Sequence, residues 1–326
     1  MKLGFIGRLA RVTLGVLAIS LMPAQFAQAE KYASIVVDAD THEVLHARNA
    51  DALRYPASLT KAMTLYMVFD ALKAGEITLS EELPVSRAAA SQPPSNLRLR
   101  AGSTITVRDA IRALVTKSAN DVAVVIAERL GSSESRFATL MTAKARSFGM
   151  TRTTFRNASG LPDAAQMSTA RDMAILAERL LEDHSGYYHY FSTDSFQWGS
   201  QKFPNHNALL RSVDGVDGIK TGYTRASGFN LMSSARRDGR RVIAIMFGGS
   251  SSLSRNQHVS DLIEAAFSTF ETPRLPDTAL ASYAMSNIQR PGNINAAAMP
   301  MLNGEVFTPA TIGEGDESTP LRAAPR

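Results

Sequence analysis

A serine and a lysine three residues apart open the first long helical pattern of the chain, in the stretch Pro56-Ala57-Ser58-Leu59-Thr60-Lys61. Apolar residues then recur at helical spacing, and a glycine follows where the helix is expected to end: Leu65, Val68, Phe69, Leu72 and Gly75. Residues three apart share one face of a helix, so we expect the Lys61 amine to reach the Ser58 hydroxyl and act as its base. A Ser-x-x-Lys pattern alone is weak evidence, and its meaning depends on the rest of the chain.

Two further polar motifs stand in separate parts of the sequence. Ser118-Ala119-Asn120 lies between two helical patterns, where a turn followed by a helix N-cap is the simplest interpretation. Lys220-Thr221-Gly222 lies in a strand-rich part, where a glycine on an edge strand lets a peptide backbone approach closely. Its lysine and threonine are suited to hold an anion. Neither motif is decisive alone, and the informative observation is that all three occur in this order in one chain.

The remaining patterns predict elements in the order β, α, β, α. Two helix starts carry capping-box pairs, Thr106 with Asp109 and Thr169 with Asp172. Strands from both ends of the chain are expected to share one sheet, with the helical block inserted between them. The predicted elements are a hairpin over Ala33–Asp38 and Glu43–Arg48, an all-helical block at about 76–185, a hairpin over Phe229–Ala235 and Arg241–Phe247 through Asp238-Gly239, and a last helix over about Leu253–Phe270.

These motifs resemble those of the low-molecular-mass penicillin-binding proteins, the serine-type D-alanyl-D-alanine carboxypeptidases. The resemblance covers about Tyr32 to Phe270 and implies an α+β fold of the β-lactamase and transpeptidase type. In such a fold an antiparallel sheet is covered by helices, and a helix-rich subdomain is inserted. Further stretches that carry the resemblance are Gly160-Leu161, Ser168-Thr169-Ala170-Arg171-Asp172-Met173-Ala174, Asn205-x-Asn207-x-Leu209-Leu210 and Asp217-Gly218.

The resemblance assigns the catalytic roles to four residues. Ser58 attacks the carbonyl between the two terminal D-alanines of a peptidoglycan stem peptide, and a neutral Lys61 takes its proton. Burial and the nearby Lys220 are expected to lower the pKa of Lys61 so that it is neutral. Ser118 is expected to pass the proton to the leaving amine, and Asn120 to hold a substrate amide.

Substrate binding is assigned to residues near the late strand and the last helix. Lys220, Thr221 and Arg255 are expected to bind the terminal carboxylate, and Gly222 to admit the substrate backbone. For Arg255 a position on the helix surface is an equally good interpretation. The N–H groups of Tyr223 and the nucleophilic serine are expected to form the oxyanion hole. Some relatives carry a histidine in place of Tyr223, so activity and substrate preference are expected to differ from theirs.

Other functions use the same motifs or compete with them. A D,D-endopeptidase would apply the same residues to the cross-link between two stem peptides, and the sequence does not separate it from a carboxypeptidase. A β-lactamase would need an efficient deacylating base, but no Glu-x-x-x-Asn loop of the class A kind follows the helical block. A non-catalytic peptidoglycan-binding protein would have no need for both Ser58 and Lys61. β-Lactam antibiotics are expected to act as inhibitors.

The histidines do not indicate a metal or a conventional triad. His42-Glu43-Val44-Leu45-His46 matches a zinc-peptidase pattern, but that pattern works on a helix and here falls in a predicted hairpin. The other four, His184, His189, His206 and His258, are scattered, and we interpret each as a surface or hydrogen-bonded histidine. No metal and no cofactor is therefore expected, and cysteine chemistry is excluded because the chain has none.

The two ends of the chain differ from the part between them. Residues 1–29 have the design of a secretory signal peptide, because basic residues precede an apolar run from Val12 to Met22 and Ala27-Gln28-Ala29 forms a cleavage site. The catalytic domain is expected over 30–272, in a periplasmic or secreted protein. The last residues, 273–326, lack periodicity and are predicted to form a disordered tail. The tail shows no amphipathic membrane anchor of the kind that many relatives carry.

The net charge gives no support to nucleic-acid binding. The chain carries a formal charge of +5, which falls to +2 when Lys2, Arg8 and Arg11 leave with the predicted signal peptide. No basic run interleaved with aromatic residues is present. Nucleic acid is therefore not expected as a partner.

Cleavage of the predicted signal peptide fixes the start of the mature protein. We expect Edman sequencing of the exported protein to begin at Glu30, because signal peptidase cuts after a small-x-small triplet that follows a short apolar run. Recovery of a chain that still begins at Met1 from washed membranes would contradict this expectation.

Overall fold

The structure is a computed structural model that describes residues 31–271, so the predicted signal peptide and tail lie outside the described residues. The domain limits at 29/30 and 272/273 therefore stay predictions. Within 31–271 the structure contains nine strands: β1 (Ala33–Asp38), β2 (Val44–Arg48), β3 (Glu82–Pro84), β4 (Thr104–Thr106), β5 (Ser195–Trp198), β6 (Gln201–Pro204), β7 (Val216–Thr224), β8 (Gly228–Arg237) and β9 (Arg240–Gly249).

Five of these strands form one antiparallel sheet that joins the two ends of the described chain. Its order is β2-β1-β9-β8-β7, which leaves β7 at an edge. The β8–β9 connection passes through Asp238 and Gly239, both with positive φ, as a tight two-residue hairpin requires. The predicted sheet shared by both ends of the chain is thus confirmed, and the edge strand is the one that carries Lys220-Thr221-Gly222.

The described range contains nine α-helices: α1 (Thr60–Lys73), α2 (Arg87–Ala90), α3 (Val107–Thr116), α4 (Asn120–Gly131), α5 (Glu134–Ser147), α6 (Ala170–Asp183), α7 (Ser185–Tyr188), α8 (Leu209–Ser212) and α9 (Ser252–Glu271). Both predicted threonine caps are confirmed, since Thr106 accepts a hydrogen bond from the Asp109 N–H and Thr169 from the Asp172 N–H. Asp172 does not act as the predicted return cap, because its carboxylate accepts instead from the Arg152 N–H and the Thr153 hydroxyl. No helix between residues 31 and 271 combines the length and the apolar character needed to cross a membrane.

Strand β1 is buried along its whole length because helices pack on both faces of the sheet. Ile35 belongs to the larger core, which also contains Phe69 of α1. Val36 points to the opposite face and belongs to a smaller core with Val259 and Ile263 of α9. The period of two along a strand thus divides neighbouring residues between two cores.

The prediction that the whole block at 76–185 is helical is wrong at two short strands. Strands β3 and β4 pair there, with Leu83 opposite Ile105. Each has only three residues, too few for an alternating pattern to be visible, and its partner lies about twenty residues away. The rest of the block is helix and loop.

A buried carboxylate holds the loop that precedes α3 against the start of α4. Asp121 accepts hydrogen bonds from the backbone N–H groups of Leu97 and Leu99, at 3.0–3.1 Å, and is 1% exposed. Its place in the first turn of α4 is favourable for a negative charge. Next to it the Asn120 N–H donates to the Ser95 carbonyl at 2.7 Å. These bonds fix the position of the loop that bears Ser95.

Replacement of this carboxylate should destabilise the protein. For Asp121→Asn we expect the free energy of unfolding to fall by about 2 kcal/mol, because buried N–H groups lose a charged acceptor. Urea denaturation measures the change. Asp261→Asn is the control, since Asp261 lies on α9 and, among the described residues, accepts a hydrogen bond from the Gln257 side chain on the same helix and from no other group. An Asp121→Asn transition that coincides with the wild-type transition would show that the loop does not depend on this carboxylate.

Candidate active site

The three predicted motifs surround one open cleft with a cavity of about 480 Å³. Seven predicted site residues line it: Ser58, Ser118, Asn120, Thr221, Gly222, Tyr223 and Arg255. The other two, Lys61 and Lys220, are completely or almost completely buried next to these lining residues. The structure thus brings all nine residues together, from the start of α1, the α3–α4 junction, the edge strand β7 and the first turns of α9.

Two glycines allow other backbone segments to approach the Ser58 turn. Ser58 lies in a short 3₁₀ turn, Ala57–Leu59, that leads into α1. A Cβ atom on Gly222 would lie 3.0 Å from the Ser58 nitrogen. Gly160 has a φ of +86°, and a Cβ there would lie 1.8 Å from the Ala57 carbonyl oxygen. The strand and the loop can therefore close on the turn only because these positions lack side chains.

The Lys61 amine is the most enclosed polar group of the cleft. Its Nζ lies 3.3 Å from the Ser58 Oγ, 2.8 Å from the Asn120 Oδ1 and 2.6 Å from the Ser159 carbonyl oxygen. Burial lowers the pKa of Lys61 well below its usual value, and the charge of Lys220 lowers it further. The lowered pKa favours the neutral form of the Lys61 amine.

A second buried lysine lies on β7. Lys220 is 1% exposed, and its Nζ donates to the Thr221 carbonyl at 3.1 Å. Burial, and then the charge of Arg255, lower the pKa of Lys220 to about 7. The cleft thus holds two buried amines whose pKa values are both lowered, that of Lys220 to about 7.

Ser118 and Asn120 keep hydrogen-bonding capacity for a bound molecule. Ser118 has a φ of +59°, and its buried Oγ has no hydrogen-bond partner among the described residues. Asn120 accepts from Lys61 through Oδ1 and donates to the Pro93 carbonyl through Nδ2 at 2.8 Å. Because an amide group carries two N–H donors, one remains available.

Arg255 is not on the surface of α9. It is 4% exposed, and its guanidinium donates to the Asn230 carbonyl and to the Asn256 Oδ1. It forms no ion pair with any carboxylate in the described chain. Burial lowers the pKa of Arg255 to about 10, so it stays charged at pH 7. Tyr223, by contrast, is 55% exposed at the cleft edge and packs against Phe229.

Sequence reasoning missed two parts of the site. The Ser159 carbonyl is a backbone group, so no residue type in the sequence identifies it. Its loop is held by Asn157, whose Oδ1 accepts from the Gly160 N–H at 2.7 Å. His206, which we had grouped with scattered histidines, lines the cleft. It stands between two buried residues, Asn205 and Asn207, but all three side chains are polar, so no alternation of apolar and polar residues marks the position in the sequence.

His206 differs from the other histidines in its electrostatic surroundings. Its side chain remains exposed on the solvent side of the cleft. Desolvation by the cleft walls, together with the charges of Lys220 and Lys117, lowers the pKa of His206. It is therefore neutral at pH 7 and adds a polar group, rather than a charge, to the wall.

The zinc-peptidase pattern lies away from this cleft. His42 is in the turn that follows β1 and contacts Glu178, whereas His46 is in β2 and contacts the Ser34 Oγ. The two imidazoles thus have different neighbours and do not share a helix face, which the zinc pattern requires.

Comparison with known proteins identifies relatives along most of the chain. A family model described as D-alanyl-D-alanine carboxypeptidase, peptidase family S11, matches residues 21–251. The D-alanyl-D-alanine carboxypeptidase DacF of Bacillus subtilis is 33% identical over 282 residues, which cover 81% of this chain and 72% of the relative. For DacC of Escherichia coli the identity is 36% over 252 residues, or 74% of this chain and 63% of that relative.

A solved structure extends the comparison to the fold. Penicillin-binding protein D2 from Listeria monocytogenes, crystallised in the cefotaxime-bound form, is 31% identical, with a TM-score of 0.66. The match covers 75% of this chain and 99% of that one. The chain has the fold of the penicillin-binding proteins, and it belongs to the D-alanyl-D-alanine carboxypeptidase family, peptidase family S11.

Proposed function

We propose that this protein is a serine D-alanyl-D-alanine carboxypeptidase that removes the terminal D-alanine of peptidoglycan stem peptides through an acyl-enzyme on Ser58. The observation that carries the proposal is the completely buried Lys61 amine, whose pKa is lowered and which lies 3.3 Å from the Ser58 Oγ. Family membership supports the substrate class. A neutral amine next to a serine hydroxyl can take the hydroxyl proton, and serine acyl transfer needs such a base.

The contacts of Lys61 orient its lone pair. A neutral amine has two N–H groups and one lone pair. The Asn120 Oδ1 and the Ser159 carbonyl oxygen accept hydrogen bonds and cannot donate them, so they take both N–H groups. The remaining tetrahedral direction belongs to the lone pair, and the third close neighbour is the Ser58 Oγ. Lys61 therefore serves as the base that takes the Ser58 proton.

The attacked carbonyl develops a negative charge that needs donors. The backbone N–H groups of Ser58 and Tyr223 are the proposed oxyanion hole. The close approach of Gly222 to the Ser58 nitrogen supports this assignment, because it brings the β7 backbone beside the nucleophile. Donors on a rigid strand and a helical turn do not need to reorganise during the reaction.

The rest of the cleft is suited to a peptide that ends in a carboxylate. No Asp or Glu is among the residues that line the cavity in the described chain, while Arg255 is charged and has no acidic partner there. Lys220, Thr221 and Arg255 are therefore the proposed carboxylate site. Ser118, with its unpartnered hydroxyl, is proposed to pass the proton to the leaving D-alanine.

The protein acts outside the cytoplasmic membrane in this proposal. Stem peptides that carry D-alanyl-D-alanine are parts of the cell wall, and the predicted signal peptide would export the enzyme to them. β-Lactams are proposed as inhibitors because they acylate the corresponding serine in enzymes with this arrangement of motifs. The cefotaxime-bound relative supports that assignment.

Penicillin should label a single residue and remain bound. We expect intact mass spectrometry to show one adduct, and peptide mapping to place it on Ser58, because Ser58 is the hydroxyl beside the buried amine. The adduct is expected to hydrolyse slowly, since no efficient deacylating base is evident. Ser58→Ala should not be labelled. A label on Ser118 or Ser95, or turnover of penicillin at the rate of a β-lactamase, would contradict the assignment.

The two lysines should give different defects. Lys61→Ala should slow acylation about 1000-fold or more, because the hydroxyl loses its base. Lys220→Ala should weaken peptide binding and also raise the pKa of Lys61, since a positive charge that opposes its protonation is gone. The acidic limb of the pH–rate profile should then move to higher pH by roughly one unit.

Lys220→Arg is the matched control because it keeps the charge, so its acidic limb should stay near that of the wild type. Lys220 itself carries its charge only below pH about 7, so the difference should be largest on the acidic side. Full activity of Lys61→Ala, or an unshifted profile for Lys220→Ala, would show that the lysines do not have these roles.

A further inference from the structure

A second cavity of about 240 Å³ opens beside the catalytic cleft, and the mechanism above does not use it. Both cavities are lined by Gly160, Leu161 and Thr224, so they lie next to each other. The other walls come from two segments. One is Tyr55-Pro56-Ala57, which precedes the nucleophile, and the other is Pro162-Asp163-Ala164.

The second cavity lies at a defined distance along the edge strand. Thr224 is four residues beyond Lys220 on β7, or roughly 13 Å at the rise of an extended strand. A peptide that extends beside β7 from the carboxylate site also advances about 3.3 Å per residue. In such a peptide the last residue then lies beside Thr221, and the scissile carbonyl lies beside the Tyr223 N–H. The residue before the two D-alanines reaches Thr224, at the mouth of the second cavity.

The walls of this cavity have a different chemistry from those of the catalytic cleft. Most of them are apolar, formed by Leu161, Pro162, Ala164, Ala226 and the ring of Tyr55. Of the residues that line it in the described chain, only Asp163 carries a charge at pH 7.

The Asp163 carboxylate is available to a ligand. Its Oδ1 accepts from the Ala165 N–H at 2.8 Å, and it forms no ion pair with a basic group of the described chain. The side chain is exposed at the rim of the cavity. An aliphatic chain that ends in an amine would therefore bury its carbon atoms along the apolar walls and place its charge beside Asp163.

We propose that this cavity binds the side chain of the residue that precedes the two D-alanines and selects a diamino acid with a free terminal amine. In a stem peptide that residue is a diamino acid, so its side chain has the chemistry that the cavity walls match. The inference rests on the proposed function, since it assumes a peptide bound along β7. It assigns Asp163 as a specificity residue.

Peptides that differ only in this side chain test the proposal. N-acyl-X-D-alanyl-D-alanine is prepared with X as lysine or Nε-acetyl-lysine, and kcat/KM for release of D-alanine is measured. We expect the free amine to be preferred about three- to fivefold, the size of effect that an exposed ion pair gives. The corresponding pair with diaminopimelic acid, which shares the amine, should show a preference in the same direction.

Variants connect the preference to Asp163. Asp163→Asn should bring the ratio of the two kcat/KM values to about one. The ratio does not depend on the fraction of folded enzyme. Asp214→Asn is the matched control, because it removes an exposed carboxylate that lines neither cavity, and it should keep the wild-type ratio.

A second variant tests the cavity itself. Ala226→Leu fills it from an exposed position and should lower kcat/KM for the lysine peptide more than for an alanine peptide. Equal rates for lysine and acetyl-lysine in the wild type, or an unchanged ratio in Asp163→Asn, would overturn the inference while D-alanine release and Ser58 labelling leave the proposed function standing. Failure to release D-alanine from every peptide would overturn both.

Discussion

The arrangement of the cleft depends on burying one primary amine without its charge. A charged ammonium group that is completely buried would cost several kcal/mol, so Lys61 is stable in this position chiefly as the neutral amine. Its two N–H groups then need acceptors, and they find them on separate segments, at the start of α4 and in the loop before α6. One nitrogen atom thereby ties the helical block to the helix that begins beside the nucleophile.

Several backbone segments also pack closely around the Ser58 turn. Ala57 and Ser118 both have positive φ, an unfavourable conformation for residues with a Cβ. At the Ala57 turn, hydrogen bonds to the two preceding residues help to offset this cost. Asn230, which is fully buried on β8, donates through Nδ2 towards the carbonyls of Tyr55 and Pro56 and accepts from the Gly248 N–H. Strand β8 thus fixes the turn through Asn230. Gly160 and Gly222 have no side chains, which allows the loop around Gly160 and the edge strand β7 to pack directly against the turn.

Sequence patterns predicted the parts of this design that residue type encodes locally. The helix caps at Thr106 and Thr169 and the β8–β9 turn follow from spacing and side-chain chemistry, whereas the grouping of the three motifs was predicted from the family resemblance. The second lysine was expected to lower the pKa of Lys61, and its charge does contribute, although burial is the larger cause. Burial depends on the packing of distant segments, so the sequence does not predict how strongly burial lowers the pKa of Lys61.

The features that escaped prediction depend on long-range contacts. A backbone carbonyl such as that of Ser159 has no signature in the sequence, and its use as an acceptor depends on the Asn157 side chain that shapes its loop. Arg255 was ambiguous because helix periodicity alone does not show that β8 passes close to it, at the Asn230 carbonyl. Three-residue strands such as β3 exist only because a partner lies opposite, which is information that a local pattern does not contain.

The charges along the cleft give a bound peptide one direction. In the proposed binding mode the terminal carboxylate lies near Lys220 and Arg255, whereas among the described residues that line the second cavity Asp163 supplies the one carboxylate. A peptide with a terminal carboxylate and an amine three residues from its end matches both sites in only one orientation. Cleavage separates the two charges, because the released D-alanine keeps the carboxylate and the acyl-enzyme keeps the amine. The released D-alanine then contacts only the carboxylate site and is bound less tightly than the intact peptide, whereas the rest of the peptide stays covalently attached to Ser58 until water hydrolyses the ester.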